Sequence, residues 1–489
     1  MTKARHHIKR GVFWIGSANL ITRLLDFGSI VVVLWFLTKE EMGVATLAWT
    51  VAAFLEAFNG LGIGTAILQA KTIERRQLDS AWWYVMGIAT GLFVTISLCA
   101  SLIADFFDTP ELPLMIIVSS SKLLFVGAAL IPIQTLNRQL RFKEIGAVQT
   151  LATLLASILK IALAALGFGA WALVISFTAA GAFALVSVYL FQPFWPRFHF
   201  VFSEIRHLVV FGIKVAVSAI IYHFYRNADY LVVGRVLGKE ALGVYRVAFD
   251  VAMTPPLTIM TVVNRAALPV FSKLSEQKER LIETFLWTQK NLALLVMPVA
   301  IFLFFSSEDL MHLIGKSQWV GAAGAIKVLC WAAVLRSLDQ VFPQLFHARG
   351  RPDLAIYDSL AAVVVLVGMF AGYISLFAET YGIVSVALAW LSSYPILIFL
   401  LLLFTRWVVP LRMTRYLANF RHPILVSAIA VFLNWLGAYL NSYLPENHWT
   451  LPLISLVLTC SVFFLYLRFV MGVRLRDVLG STAKSSSSR

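Results

Sequence analysis

Ionisable residues lie deep inside the apolar runs of this 489-residue sequence, and several recur at a fixed spacing. Arg23 with Asp26, Arg226 with Asp229, and Arg336 with Asp339 are each three residues apart, which on a helix puts both side chains on one face. Lys122, Lys214 and Lys290 have no acid at that spacing on their own segment. Glu56, Asp250 and two amides, Asn59 and Asn227, complete the set. A charge at mid-bilayer costs about 2.5 to 3.5 kcal/mol on insertion scales, so such groups face protein or a watery cavity. Two chemistries fit them. The three Arg-x-x-Asp sets could be self-contained ion pairs that only tie helices together. The unpaired cations, in a wet cavity, would attract an anion, and Arg matches phosphate oxygens bidentately. Asn59 and Asn227 could bond sugar hydroxyls or link helices, the second being the commoner use.

The elements that must hold these residues are transmembrane helices. Hydrophobic residues make up 60% of the chain and charged ones only 13%, against about a quarter charged in soluble domains. A helix needs about 20 apolar residues to cross the hydrocarbon core. Fourteen stretches qualify: 11–37, 43–68, 81–104, 112–133, 145–166, 170–191, 209–237, 242–270, 285–305, 321–342, 354–377, 383–404, 423–440 and 451–470. Residues 1–10 are basic, but the run behind them carries Arg23 and Asp26 and is too long for a signal peptide, so it is expected to stay as the first span. The three cysteines each sit in an apolar run and match no zinc or disulfide spacing.

Connector charge tests this count independently of hydropathy. The tails and even-numbered loops hold 25 Lys and Arg; the odd-numbered loops hold three, Lys39, Lys239 and Lys316. That asymmetry places both termini in the cytoplasm. The other twelve basic residues fall within spans: Arg23, Lys122, Lys160, Lys214, Arg226, Arg235, Arg246, Arg265, Lys290, Lys327, Arg336 and Arg468. Opposing them are Asp26, Glu56, Asp229, Asp250 and Asp339, with Asp358 nearer a helix end, so an excess of positive charge is expected inside. Arg235, Arg246, Arg265 and Arg468 lie near span ends and are expected to snorkel to the interface. The pair Trp82 and Trp83 reads as part of the interfacial aromatic belt.

An internal repeat organises the spans. LTKEEMGVATLA at 37–48 recurs as LGKEALGVYRVA at 237–248, with six of twelve positions identical. An offset of 200 residues holds six spans, so the two units share an orientation and relate by an axis along the membrane normal. The expected organisation is a tail (1–10), a six-helix lobe (11–205), a second lobe (206–404), two added helices (405–470) and a cytoplasmic tail (471–489). No phosphate-binding glycine loop, metal-ligand cluster or nucleophile elbow is present, and no loop is long enough for an enzymatic domain. Neither a cofactor nor nucleic acid is expected.

The segments LTKEEMGVATLA, ADYLVVGRVLGKEALGVYRVA, LNRQLRFK, GFGAWALV and ARGRPDLAIYDSL, in this order and spacing, resemble Wzx-type flippases. These are polysaccharide transporters of the multidrug/oligosaccharidyl-lipid/polysaccharide exporter superfamily, and the likeness is to the colanic acid exporter-like group. It implies a bacterial inner-membrane protein moving undecaprenyl-diphosphate-linked oligosaccharide to the periplasmic leaflet for lipopolysaccharide or exopolysaccharide export. It also implies a setting of polysaccharide polymerases and glycosyltransferases. The cargo-binding groups expected from depth and charge are Arg23, Lys122, Lys214, Arg226, Lys290, Arg336, Asn59 and Asn227. Asp26, Glu56, Asp229, Asp250 and Asp339 would poise the cations or sense protons. The alternatives are a cation-coupled multidrug exporter, for which an acid-rich cavity is expected, a peptidoglycan-precursor flippase, and a membrane-embedded polymerase or ligase, which would need a large outer loop.

Overall fold

The computed structural model describes residues 2–70, 72–315, 317–443 and 447–469. All regular structure among them is helical. The first ten helices are α1 (Thr2–Val33), α2 (Lys39–Glu56), α3 (Ile63–Gln69), α4 (Arg75–Phe106), α5 (Leu112–Ser120), α6 (Lys122–Arg138), α7 (Phe142–Ala165), α8 (Ala170–Phe191), α9 (Phe202–Val236) and α10 (Gly238–Lys273). After α11 (Lys278–Gly315) and a 3-10 turn (Ser317–Ala322) come α12 (Ala323–Asp339), α13 (Phe342–Ala348), α14 (Pro352–Tyr381) and α15 (Ile383–Thr405). A short α16 (Met413–Ala418) precedes α17 (Arg421–Asn441) and α18 (Thr450–Phe469).

Twelve helices among the described residues are long and apolar enough to cross a membrane. Large apolar side chains such as Leu98, Leu102, Leu190 and Val364 stand more than two-thirds exposed, as they would against lipid. The chain is an all-α, multi-pass membrane protein. The stretches expected as the second and seventh spans are helical but are not among the twelve. The second is broken. Gly60, Leu61 and Gly62 all take positive φ, at 74°, 37° and 72°, a backbone that no helix can continue through. The apolar run 43–68 therefore splits into α2 and α3, joined by a turn over 57–62. The seventh lies within α9, which carries Lys214, Arg226, Asp229 and Arg235 along its length.

The chain groups into two compact units, one of residues 1–250 with 356–389, the other of residues 251–355 with 390–489. In the first, α7 packs on α1 and α8, α6 on α4 and α8, and α9 on α2, α3 and α4. In the second, α11 packs on α12, α17 and α18.

Both copies of the repeat lie in the first unit and touch each other. Thr38 starts α2 with a capping box, its hydroxyl accepting from Glu41 N–H at 3.2 Å while its own N–H donates to the Glu41 carboxylate at 2.8 Å. Against this start lies the start of α10, arranged reciprocally. Lys39 Nζ is 3.5 Å from Glu240, and Lys239 pairs with Glu40. A Cβ on Gly43 would collide with the Lys239 carbonyl, and one on Gly243 with that of Lys39. Equivalent residues 200 apart make equivalent contacts, which is what a two-fold pseudo-axis through this point produces.

Candidate functional site

Seven helices of the first unit send polar or aromatic groups into one connected cluster. Its first part follows from the break between α2 and α3. Ending α2 at Glu56 leaves that carboxylate at a helix terminus, where it meets Lys122 at the start of α6 with Nζ–Oε1 2.9 Å apart. Asn59, in the turn, donates to the Leu123 carbonyl at 3.1 Å. It thus ties the turn to α6. The Lys122 ammonium also stands 3.7 Å from the centre of the Phe177 ring on α8.

Aromatic rings carry the cluster onward. Phe177 lies 6.2 Å from Trp49, and the Arg246 guanidinium sits 5.0 Å from Trp49 and 4.9 Å from Tyr230. Arg246 Nε pairs with Asp250 at 2.8 Å, one turn along α10. Beside it the fully buried Asp229 accepts the Tyr245 hydroxyl at 2.7 Å. The third part joins α1 and α7. Lys160 Nζ donates to Ser29 Oγ at 2.9 Å, and Ser29 in turn donates to the Asp26 carbonyl at 2.8 Å. The exposed Asp26 carboxylate interacts electrostatically with Lys160, Asp250, Lys122 and Arg23.

Lys122, which has no acid on its own helix, pairs with a carboxylate on a neighbouring one. One expectation needs correction here. Arg246 does not snorkel: α10 begins at Gly238, so residue 246 lies more than two turns inside it, and its charge turns inward to Asp250 and two rings. The described cations of the cluster are Arg23, Lys122, Lys160 and Arg246; its acids are Asp26, Glu56, Asp229 and Asp250. Among the described side chains of the cluster, four cations stand with four acids.

The remaining candidates are more scattered. Asn227 is half-buried on α9, two residues before Asp229. The side chains of Lys214 and Arg226 lie outside the described residues. In the second unit Arg336 and Asp339 are 3% and 5% exposed, each the other's electrostatic neighbour, with the guanidinium 5.0 Å from the Trp390 ring. Gln289 fastens the same end of α12 by donating to the Leu338 carbonyl at 3.0 Å. Outside the spans, burial pushes the Tyr416 phenol pKa up, and the Asp339 charge adds to the rise. Lys290 is half-buried and has no ion pair among the described residues.

Sequence reasoning passed over Lys160 as a site residue although the criterion that selected Lys122 applies to it equally: mid-span, with no acid three or four residues away. Its partners on α1 are 131 residues distant. For Arg246 the signal was Asp250, at the i,i+4 spacing of a helical ion pair. Among the described residues no group of His, Cys, Asp and Glu could hold a metal ion.

Comparison with known proteins follows the same lines. Teichuronic acid biosynthesis protein TuaB of Bacillus subtilis (strain 168) is 26% identical over 448 residues, 88% of each chain. Lipopolysaccharide biosynthesis protein WzxC of Escherichia coli (strain K12) is 24% identical over 380 residues, 74% of this chain and 76% of that one. In fold the chain is similar to the lipid II flippase MurJ in an inward closed conformation, with a TM-score of 0.76 at 16% identity, over 95% of this chain and 99% of that one. The likeness to Wzx-type transporters drawn from the sequence is borne out. Residues 32–324 match the model of a polysaccharide biosynthesis protein family, and over that majority of its length the chain belongs to it.

Proposed function

We propose that this protein flips an undecaprenyl-diphosphate-linked oligosaccharide from the cytoplasmic to the periplasmic leaflet of the bacterial inner membrane, supplying surface polysaccharide export. Two six-helix halves, 11–205 and 206–404, alternate in access, with both termini cytoplasmic, and the chain is a transporter rather than an enzyme. The observation that carries this reading is the paired-charge cluster of the first unit in a chain whose relatives are named for polysaccharide biosynthesis. Lys122 and Arg246 are each held beside a carboxylate and Lys160 beside the Ser29 hydroxyl, so an arriving diphosphate would meet cations already oriented and partly neutralised. Lys122 and Glu56 keep 17% and 27% of their side chains accessible, which suits that encounter. Arg23, Lys160 and Arg246 would serve with Lys122, and Lys214, Arg226, Lys290, Arg336, Asn59 and Asn227 remain in the proposed set. Asp26, Glu56, Asp229, Asp250 and Asp339 would receive the cations back, or a proton, once cargo leaves.

The relatives named for polysaccharide biosynthesis favour this reading over a drug exporter. The test is a strain that depends on this gene for surface polysaccharide. Its loss should leave lipid-linked repeat units accumulating in the inner leaflet, shielded from a glycosidase added to spheroplasts. Repeat units that reach the outer leaflet normally without the protein would defeat the reading.

A further inference from the structure

We propose that the connector between α8 and α9, together with the first four turns of α4, forms a separate binding site for a lipid bearing a phosphate head. Residues 193–200 contain Pro193 and Pro196, form no helix and lie along the start of α4 as a strap. Its attachment is backbone by backbone. Arg75 donates to the Trp195 carbonyl, Trp83 Nε1 to the Arg197 carbonyl at 2.8 Å, and Ser80 Oγ to the His199 carbonyl at 3.4 Å. Ser80 also accepts from Val201 N–H at 3.1 Å. Beneath the strap, Asp79, 1% exposed, accepts from Arg75 Nε at 3.2 Å and from Arg197 N–H at 3.4 Å. A buried carboxylate is spent on fixing the strap, and a fixed strap is a preorganised surface.

Two clefts of different chemistry open on that surface, each with its own aromatic lining. One, of about 620 Å³, is lined by Glu74, Arg75, Arg76, Asp79, Arg197, Phe198 and His199. Arg75 and Asp79 answer each other, and Glu74 closes a capping box with Gln77. Arg76 and Arg197 are exposed with no ion pair among the described residues, so two guanidiniums are left to accept an anion. The other cleft, of about 450 Å³, is apolar, lined by Trp83, Tyr84, Gly87, Ile88 and Phe200. Its floor is open: a Cβ on Gly87 would meet nothing within 4 Å. Trp83 and Phe198 stack between the two clefts with ring centres 5.3 Å apart. Phe198 is 96% exposed and Trp195 75%, a heavy apolar exposure beside arginines that belongs at the level of lipid headgroups. The side is the one where basic loops gather, hence the cytoplasmic leaflet. A cationic cleft beside an apolar groove fits one molecule with a phosphate at one end and hydrocarbon at the other. Undecaprenyl-diphosphate cargo and a resident anionic phospholipid share that chemistry. The site is built from local contacts and stands independently of the transport reading.

Delipidated full-length protein in detergent, examined by native mass spectrometry with added phosphatidylglycerol, a polyprenyl diphosphate or phosphatidylcholine, tests this. The wild type should retain the two anionic lipids and not phosphatidylcholine. The double variant Arg76→Gln/Arg197→Gln should retain them about ten-fold less, with retention falling as salt rises. Gly87→Leu, whose Cβ meets nothing within 4 Å and whose side chain enters the groove, should weaken retention while leaving the headgroup arginines in place. An unchanged melting temperature excludes unfolding as the cause in both variants. Displacement of phosphatidylglycerol by the polyprenyl diphosphate would identify the site as a cargo-loading station, and its persistence would identify a resident phospholipid. Retention by the variants equal to wild type, or phosphatidylcholine held as well as phosphatidylglycerol, overturns the proposal.

Discussion

Gly43 and Gly243, exactly equivalent in the two copies of the repeat, meet backbone to backbone: the Cβ position of Gly43 is 3.2 Å from Gly243 N, and that of Gly243 is 3.0 Å from Gly43 N. Both positions also overlap the carbonyl of a lysine in the opposite copy. Gly43→Ala should therefore force α2 and α10 apart and lower stability by about 1 to 3 kcal/mol, the cost of an overpacked contact. Gly28→Ala on α1, with nothing within 4 Å, is the control and should leave stability unchanged or slightly raised. Thermal unfolding in one detergent measures both. Equal melting temperatures for the two variants would show that the close approach is not required.

Lys160 is the clearest case of a charge whose partners lie on another helix. Lys160→Met removes the donor to Ser29 and a positive charge that acts on Asp26. It should lower both melting temperature and polysaccharide output, and Asp26→Asn in the same chain should recover part of the stability. A double-mutant cycle should give a coupling of about 1 to 3 kcal/mol; strict additivity would show that the two groups are not energetically linked.

Asp79 holds the strap rather than any ligand. Asp79→Ala removes the acceptor shared by Arg75 and the Arg197 N–H. The expected result is faster tryptic cleavage after Arg197, in a segment that wild-type protein keeps pinned, with no change at Arg280 on α11. Mass mapping of a timed digest reads the difference.

Arg138, the last residue of α6, donates to the carbonyls of Ile67 and Ala70, the latter at 2.7 Å, capping the end of the short α3. A seven-residue helix has little stability of its own. Arg138→Ala should therefore raise hydrogen exchange across residues 63–70 by more than ten-fold, since bonds to a charged group are worth about 1.5 to 3 kcal/mol. Unchanged protection there would mean that apolar packing against α6 and α9 holds α3 without the arginine.

Much of the fold was legible because hydropathy and loop charge report the same spans by independent physics, and because the repeat states its own offset. The nearness of Arg336 to Asp339 was legible for a local reason: spacing along one helix fixes it. What escaped were relations across helices. Glu56 finds Lys122 and Ser29 finds Lys160 only after packing, and no periodicity announces either. The break in the second span was announced, by Gly60 and Gly62 inside an apolar run, but total hydrophobicity masked the signal. The repeat itself misleads beyond its matched core. Where the second copy carries Arg246 and Asp250, the first has the buried threonines Thr46 and Thr50, so backbone symmetry persists while the charge does not.

The bond from Lys160 to Ser29 also bears on how the chain is made. Helices leave the ribosome in order, and α7 emerges carrying an ammonium whose hydroxyl partner was synthesised 131 residues earlier. For that lysine to enter lipid without an isolated charge, α1 must still be waiting beside the translocon when α7 arrives. Assembly of the first unit is thus a matter of storage as well as sequence, and a nascent chain deprived of α1 would present the insertion machinery with a cation that has nowhere to go.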